Sequence, residues 1–220
     1  MGCITKGDDN EYRSVIANFV DWSERNHLRL NISKTKELVI DFRKNKEPLT
    51  PVTIHGKEVE IVQSYKYLGV HIDSKLDWSN NTDAIYRKGL NRLFFLRKLR
   101  SFNVCKRLLL SFYQSVMASV IFYGVVCWGG NISRGDPDKV TKLIKKAGSV
   151  IGIQLDPLDD ILEKRVRAKT SAILGDTTHP LYEVLSQQQS TFSQRMLSIK
   201  CSTERFRLSF FPAAIRYYNE

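Results

Sequence analysis

The sequence predicts an α+β fold over residues 1–76, a mostly α-helical region over 77–185, and a loop-rich tail over 186–220 that ends in a short helix. Two observations lead there. Up to about Asp73, one helical stretch is followed by short runs with the composition and alternation of strands. Beyond about Asn81, every apolar pattern has the period of a helix. Strands first and helices afterwards is the order of a segregated α+β architecture, not of an alternating α/β one.

In the first segment, Tyr12, Val15, Ile16, Phe19 and Val20 recur at i, i+3, i+4, i+7 and i+8, which predicts a helix over 10–25 with one apolar face. Residues 38–42 are a short apolar run bounded by charges and predict a strand. Residues 52–62 alternate on both sides of His55-Gly56, a hairpin signal, and 64–73 is one further strand-like run. Helices are then predicted over 81–100, 106–128, 138–151 and 157–174. Asp136-Pro137 and Asp156-Pro157 each place a capping residue before a proline at the first helical position, and Gly129-Gly130 and Gly152 are stops. The Ser/Gln-rich stretch within 186–204 predicts a loop, and Pro212 opens the last helix.

Charge narrows the partners. A formal net charge of +11 favours polyanions, meaning nucleic acid or an acidic surface. Between Thr82 and Arg107 stand Arg87, Lys88, Arg92, Arg97, Lys98, Arg100, Lys106 and Arg107, with Asp83 the only acid in that window. On a helical projection Arg87, Lys88, Arg92 and Lys98 cluster, while Arg97 and Arg100 fall elsewhere. The 139–151 helix is cleaner: Val140, Leu143, Ile144, Ala147, Val150 and Ile151 make one face, and Lys139, Lys142, Lys145 and Lys146 the opposite one. Such a stripe serves either as a solvated face or as a set of phosphate contacts. Two basic helices in one positive chain point to the backbone of RNA or DNA, with no small-molecule substrate.

Cys3, Cys105, Cys127 and Cys201 are far apart, without zinc-ligand spacing, and predict reduced, mostly buried thiols of an intracellular protein, cytoplasmic or nuclear and not secreted. Residues 108–133 carry no charge and are long enough to span a bilayer. Recurring Ser111, Gln114, Ser115 and Ser119, with basic flanks on both sides, favour a buried helix instead, so no membrane partner is expected.

Gly7-Asp8-Asp9 is the obvious candidate for a metal-holding carboxylate pair. Too few apolar residues precede it for a supported strand, and Asp8, Asp9 and Asn10 stand where a helix start wants capping side chains. Asp41 and Asp73 complete a cluster only if both strand ends converge on it; alone, each is an ordinary turn former. His71-Ile72-Asp73 has the spacing of two iron ligands, but the helices that separate it from His179 cannot build the barrel such a site needs. No metal site and no cofactor is expected.

Three blocks, NHLRLNISKTKELVIDFR, VTIHGKEVEIVQSYKYLGVHID and LDWSNNTDAIYRKGLNRLFFLRKLRSF, with LLSFYQSVMASVIFYGVVCWGGN and SFFPAAIRYYN after them, resemble the reverse transcriptase of LINE-type (non-LTR) retrotransposons over nearly the whole chain. The resemblance implies a truncated palm, one helix plus short antiparallel strands, followed by a thumb-like helical region. It implies that Lys34 and Lys36 lie at a palm motif beside the incoming nucleotide, that Tyr67-Leu68-Gly69 forms a hairpin gripping the primer end, and that the helices from about 81 onward follow the template–primer backbone. In that family the magnesium-binding Asp-Asp box lies upstream of the region aligned with Met1. The resemblance therefore implies a non-catalytic remnant that binds RNA or DNA backbone without sequence specificity, with strands 37–42 and 65–73 short of neighbours and solubility poor. Residues 25–65 are also similar to the N-terminal domain named after an AlkB-type alkylated-DNA repair and tRNA-modifying dioxygenase–methyltransferase, a likeness that brings neither activity with it.

Overall fold

A computed structural model describes residues 2, 4, 8–43, 50–132, 136–193 and 195–220, with the backbone alone at 136–138. Cys3, Lys6 and Gly7 lie outside the described residues. The chain divides into two compact units, one comprising Met1–Lys66 and Asp73–Lys75, the other Tyr67–Ile72 and Leu76–Glu220.

The first unit opens with helix α1 (Asn10–Arg25). Its apolar residues split into two stripes. Tyr12, Ile16 and Val20 pack with Leu30 and Ile32 on a small core of Val52, Ile54 and Val59. Val15, Phe19 and Trp22, expected partly on the same face, are exposed, with the Phe19 and Trp22 rings stacked at 5.9 Å. Strands β2 (Thr53–Ile54) and β3 (Lys57–Glu58) form the antiparallel hairpin, turning at His55 and Gly56, both at positive φ, as a two-residue hairpin turn requires.

The strand predicted over 38–42 does not form. Only β1 (Lys36–Glu37) pairs, and it does so in parallel with β4 (Glu60–Ile61), not antiparallel. The Val62 N–H also reaches the Glu37 carbonyl, and Ile40 and Phe42 are exposed. Glu37 anchors this corner: its buried carboxylate accepts from the Val52 N–H at 3.3 Å, and burial together with the Glu37 charge pushes the Tyr12 phenol up to about 12.

The 64–73 run is two strands, β5 (Ser64–Tyr67) and β6 (Val70–Asp73), joined at Leu68 and Gly69, both at positive φ. Residue pattern alone reads 64–73 as one run, because leucine is unusual at positive φ; the turn falls at the Tyr67-Leu68-Gly69 hairpin that the family resemblance implied.

The second unit is helical: α2 (Ser79–Ser101), α3 (Lys106–Phe112), a π-helical turn (Tyr113–Ala118) running into α4 (Ser119–Ile121), α5 (Val125–Trp128), α6 (Asp136–Ile151), α7 (Leu158–Leu174), α8 (Tyr182–Ser186), α9 (Glu204–Arg207) and α10 (Phe210–Asn219). Its core gathers Leu93 and Leu96 from α2, Leu109, Met117, Ile121, Val125 and Trp128 from the middle helices, Val140, Leu143 and Ala147 from α6, and Val166 and Ala214. In α2, Ile85, Gly89, Leu93 and Leu96 face inward.

The continuous helix expected over 106–128 is broken at 122–124, where Gly124 takes φ +60°. The break is satisfied internally. Arg165 donates to the Phe122 carbonyl at 2.6 Å, and the Trp128 indole donates to the Tyr123 carbonyl at 2.8 Å. Among the described residues no single helix is long and apolar enough to cross a membrane; Lys106–Ile121 and Val125–Asn131 would pass together but are bent by 42°. Leu109, Met117, Ile121, Val125 and Trp128 of that stretch are core residues.

Smaller expectations also shift. Pro157 precedes α7 in extended conformation instead of opening it, and α10 begins at Phe210, ahead of Pro212. Cys105 and Cys127 are exposed and Cys201 half-buried, so the described thiols are free but not mostly buried.

Helices α2 and α6 cross at Gly89. A β-carbon there would stand 2.1 Å from Cδ2 of Leu143, which is fully buried. In an open helix, Gly→Ala stabilises by about 1 kcal/mol; here the core leucine has nowhere to go. Gly89→Ala is expected to destabilise the helical unit by about 1–3 kcal/mol in urea unfolding, and a gain in stability would contradict this crossing.

Candidate nucleic-acid interface

The inward face of α2 fixes where its cations go. With Ile85, Gly89, Leu93 and Leu96 committed to the core, Arg87, Lys88, Arg97, Lys98 and Arg100 are exposed and Arg92 is half-buried. Lys106 and Arg107, in the first turn of α3, are exposed as well. Asp83 is held by Lys139 of α6 at 2.7 Å. From Ala84 to Arg107 the chain carries eight cations and no carboxylate.

On α6, Lys142, Lys145 and Lys146 are exposed, opposite the buried Val140, Leu143, Ile144 and Ala147. Lys139 departs from the predicted stripe, because its ammonium is bonded to Asp83. The α6 face thus presents three lysines, and the fourth ties the two basic helices together.

The Tyr67-Leu68-Gly69 turn is fastened to the helix break. The Tyr123 hydroxyl donates to the Leu68 carbonyl at 2.8 Å. The Tyr123 ring lies 3.2 Å from where a Gly69 β-carbon would be, and Gly69 has φ +88°, so a side chain there would be both strained and crowded. Val70 sits equally close to Gly124, and the Asn81 side chain accepts from the His71 N–H at 3.2 Å. A leucine held at positive φ, 74% exposed, is an uncommon arrangement that these contacts sustain.

In the first unit, Lys34 is exposed on the turn that Asn31 caps, where the Asn31 side chain accepts from the Ser33 hydroxyl and the Lys34 N–H. Lys36 is bonded to Glu60, its partner in the parallel pair. Lys36 lines a cleft of about 890 Å³ together with Arg29, Asn31, His55, Lys57 and Glu60, and Lys34 is not among its lining residues. The carboxylates are engaged locally. Asp8 accepts from the Asn10 N–H at 3.0 Å, Asp9 pairs with Arg13 at 2.7 Å without capping the helix, Asp41 binds Arg43, and Asp73 is buried and accepts from the Lys75 N–H. Among the described residues no group of three His, Cys, Asp or Glu side chains is placed to hold a metal ion.

Sequence reasoning missed the aromatics among the cations. Phe94, Phe95 and Phe102 of the α2 region are all more than half exposed. The Phe94 and Phe95 rings meet edge to face at 5.5 Å, and the Lys98 ammonium lies 5.2 Å from the centre of the Phe102 ring. Phe95 lines a groove of about 310 Å³ with Arg92, Lys98 and Leu99 of α2, Phe112 of α3 and Val116 of the π turn. A signal was present: two adjacent phenylalanines cannot both enter the core from one helix face.

Over 117 residues, half of its length, the chain is 30% identical to the RNA-directed DNA polymerase from mobile element jockey of Drosophila melanogaster, and it spans 12% of that protein. Residues 78–119 match the family model described as "Alkylated DNA repair protein alkB homolog 8, N-terminal". That match lies on α2, α3 and the π turn, not on the 25–65 segment expected from the sequence; the matching unit is a helix pair, not the strand and hairpin before it. No solved structure matches the chain significantly.

Tyr123→Phe removes the hydroxyl that holds the Leu68 carbonyl. We expect much faster amide exchange at Leu68, Gly69 and Val70 than in the wild type, with exchange at Leu93 and Leu96 rising only as far as a global loss of about 0.5–1.5 kcal/mol allows. Unaltered exchange at the turn would show that the bond does not hold it.

Proposed function

We propose that this chain binds RNA or DNA through the sugar–phosphate backbone, without reading sequence and without performing phosphoryl transfer through its own carboxylates. In this reading the first unit corresponds to part of a polymerase palm and the second to a thumb-like helical body. The carboxylate-free cationic run from Ala84 to Arg107, with six of its eight cations on a helix whose other face is locked in a core, is the observation that carries it. Likeness to an RNA-directed DNA polymerase supports the same reading. Rigid cations on a helix position a nucleic-acid backbone, and specificity would need side chains aimed at base edges.

The match on 78–119 favours a second reading, in which the α2–α3 pair belongs to a protein linked to alkylated-DNA repair. Tighter binding of alkylated than of unmodified DNA would select it over the first.

Backbone binding releases counterions, so affinity for a primer–template duplex should fall steeply between about 50 and 200 mM salt. Replacing Arg87 and Arg97 together by glutamine should shallow the log–log salt slope by about 1.8, roughly 0.9 for each phosphate no longer neutralised. Absence of binding at the lower salt, or a slope the double variant leaves unchanged, would refute the proposal.

A further inference from the structure

We infer that the groove between α2 and the α3–π segment seats one unpaired base of a single-stranded nucleic acid, with Arg92 and Lys98 taking the flanking phosphates. The inference rests on the preceding reading that the chain binds nucleic acid, and adds which form of it is preferred. The groove, about 310 Å³, is at the small end of ligand-binding cavities and suits one planar ring system rather than a helix or an acyl chain. Its floor and walls are Phe95, Leu99, Phe112 and Val116, and its polar lining is cationic.

Charge selects the occupant. From Ala84 through Ser119 the sequence carries no Asp or Glu, so the segment that builds the groove supplies no carboxylate of its own to its two cations. Arg92 and Lys98 stand six residues apart, about 9 Å of helix axis, a span that two long side chains can close around a single nucleotide.

The aromatic arrangement is the second support. Lys88, Arg92, Phe95, Leu99 and Phe102 follow one another at i, i+4, i+7, i+11 and i+14, a single flank of α2 and its C-cap along which two cations lead into two rings. Phe95 and Phe102 expose more than half their surface, and phenylalanine has no polar tip to account for that. Exposed rings beside cations that follow a backbone are how sequence-tolerant single-strand binders hold bases. A paired base could not enter, since its face is covered by its neighbours in the stack.

The test measures binding of the full 220-residue chain to three probes of about twelve nucleotides: a single strand, the same strand with abasic sugars, and a duplex. The single strand should bind about 5- to 100-fold more tightly than the abasic strand. The duplex, whose bases cannot enter, should show no loss of affinity on Phe95→Ala; a loss there equal to that of the single strand overturns the base pocket. Phe95→Ala, which empties one wall, and Val116→Trp, which fills the groove, should each bring the single strand down to the abasic level while leaving abasic affinity unchanged. Phe95 is half exposed, so its variant keeps the core intact, and the wild-type comparison stands without either variant. Equal affinity for intact and abasic strands overturns the base pocket while leaving backbone binding in place. Binding of neither strand at low salt overturns both. A dimer that Phe95→Ala dissociates, with oligonucleotide affinity unaltered, assigns the groove to a second copy of the chain and likewise overturns the proposal.

Discussion

The helical unit depends on the approach of α2 to α6 at Gly89. Without a side chain there, the fully buried Leu143 seats against the α2 backbone. That packing commits Ile85, Leu93 and Leu96 to the same interior. The remaining circumference of α2 must then face outward, and cations and phenylalanines fill it. The ion pair between Lys139 and Asp83 joins the same two helices and removes the only carboxylate of the basic window from competition. Its own energy is small, because both groups are about two-fifths exposed; its consequence is the sign of the surface it leaves.

A second constraint fixes the hairpin tip. The chain breaks its helix at 122–124 and satisfies the exposed carbonyls with Arg165 and the Trp128 indole. Freed from helical geometry, Tyr123 can reach the Leu68 carbonyl, and Gly124 admits Val70. Leu68 is thereby held at positive φ with its side chain exposed. Strain of this kind persists where surrounding contacts over-determine it.

Much of the helical fold was legible. Period and breaker residues place α1, α2, α6 and α7 close to their observed bounds, because each has a stripe that the core consumes. The strands were less legible. Residues 38–42 have strand composition, but strand formation depends on tertiary context, and the described ladder with β4 takes in Lys36–Glu37 instead. The Leu68-Gly69 turn was invisible to residue preference, since leucine at positive φ is sustained by a partner 55 positions away. At the candidate interface the cations were found by counting charge, whereas the role of Lys139 required knowing which helix Asp83 faces. Phe95 and Phe112 come together only when α2 and α3 fold back on one another, which no spacing rule along the chain encodes.

If nucleic acid lies on the α2–α3 surface of the helical unit, photo-crosslinking will find it there. The decisive measurement joins the chain to a primer–template with a single-stranded overhang and maps the modified peptides. Adducts should concentrate between Arg87 and Arg107, with Phe95 and Phe102 prominent on the overhang and few adducts in the first unit. Adducts concentrated along the Arg29–Lys57 cleft, with α2 and α3 unmodified, would contradict this placement.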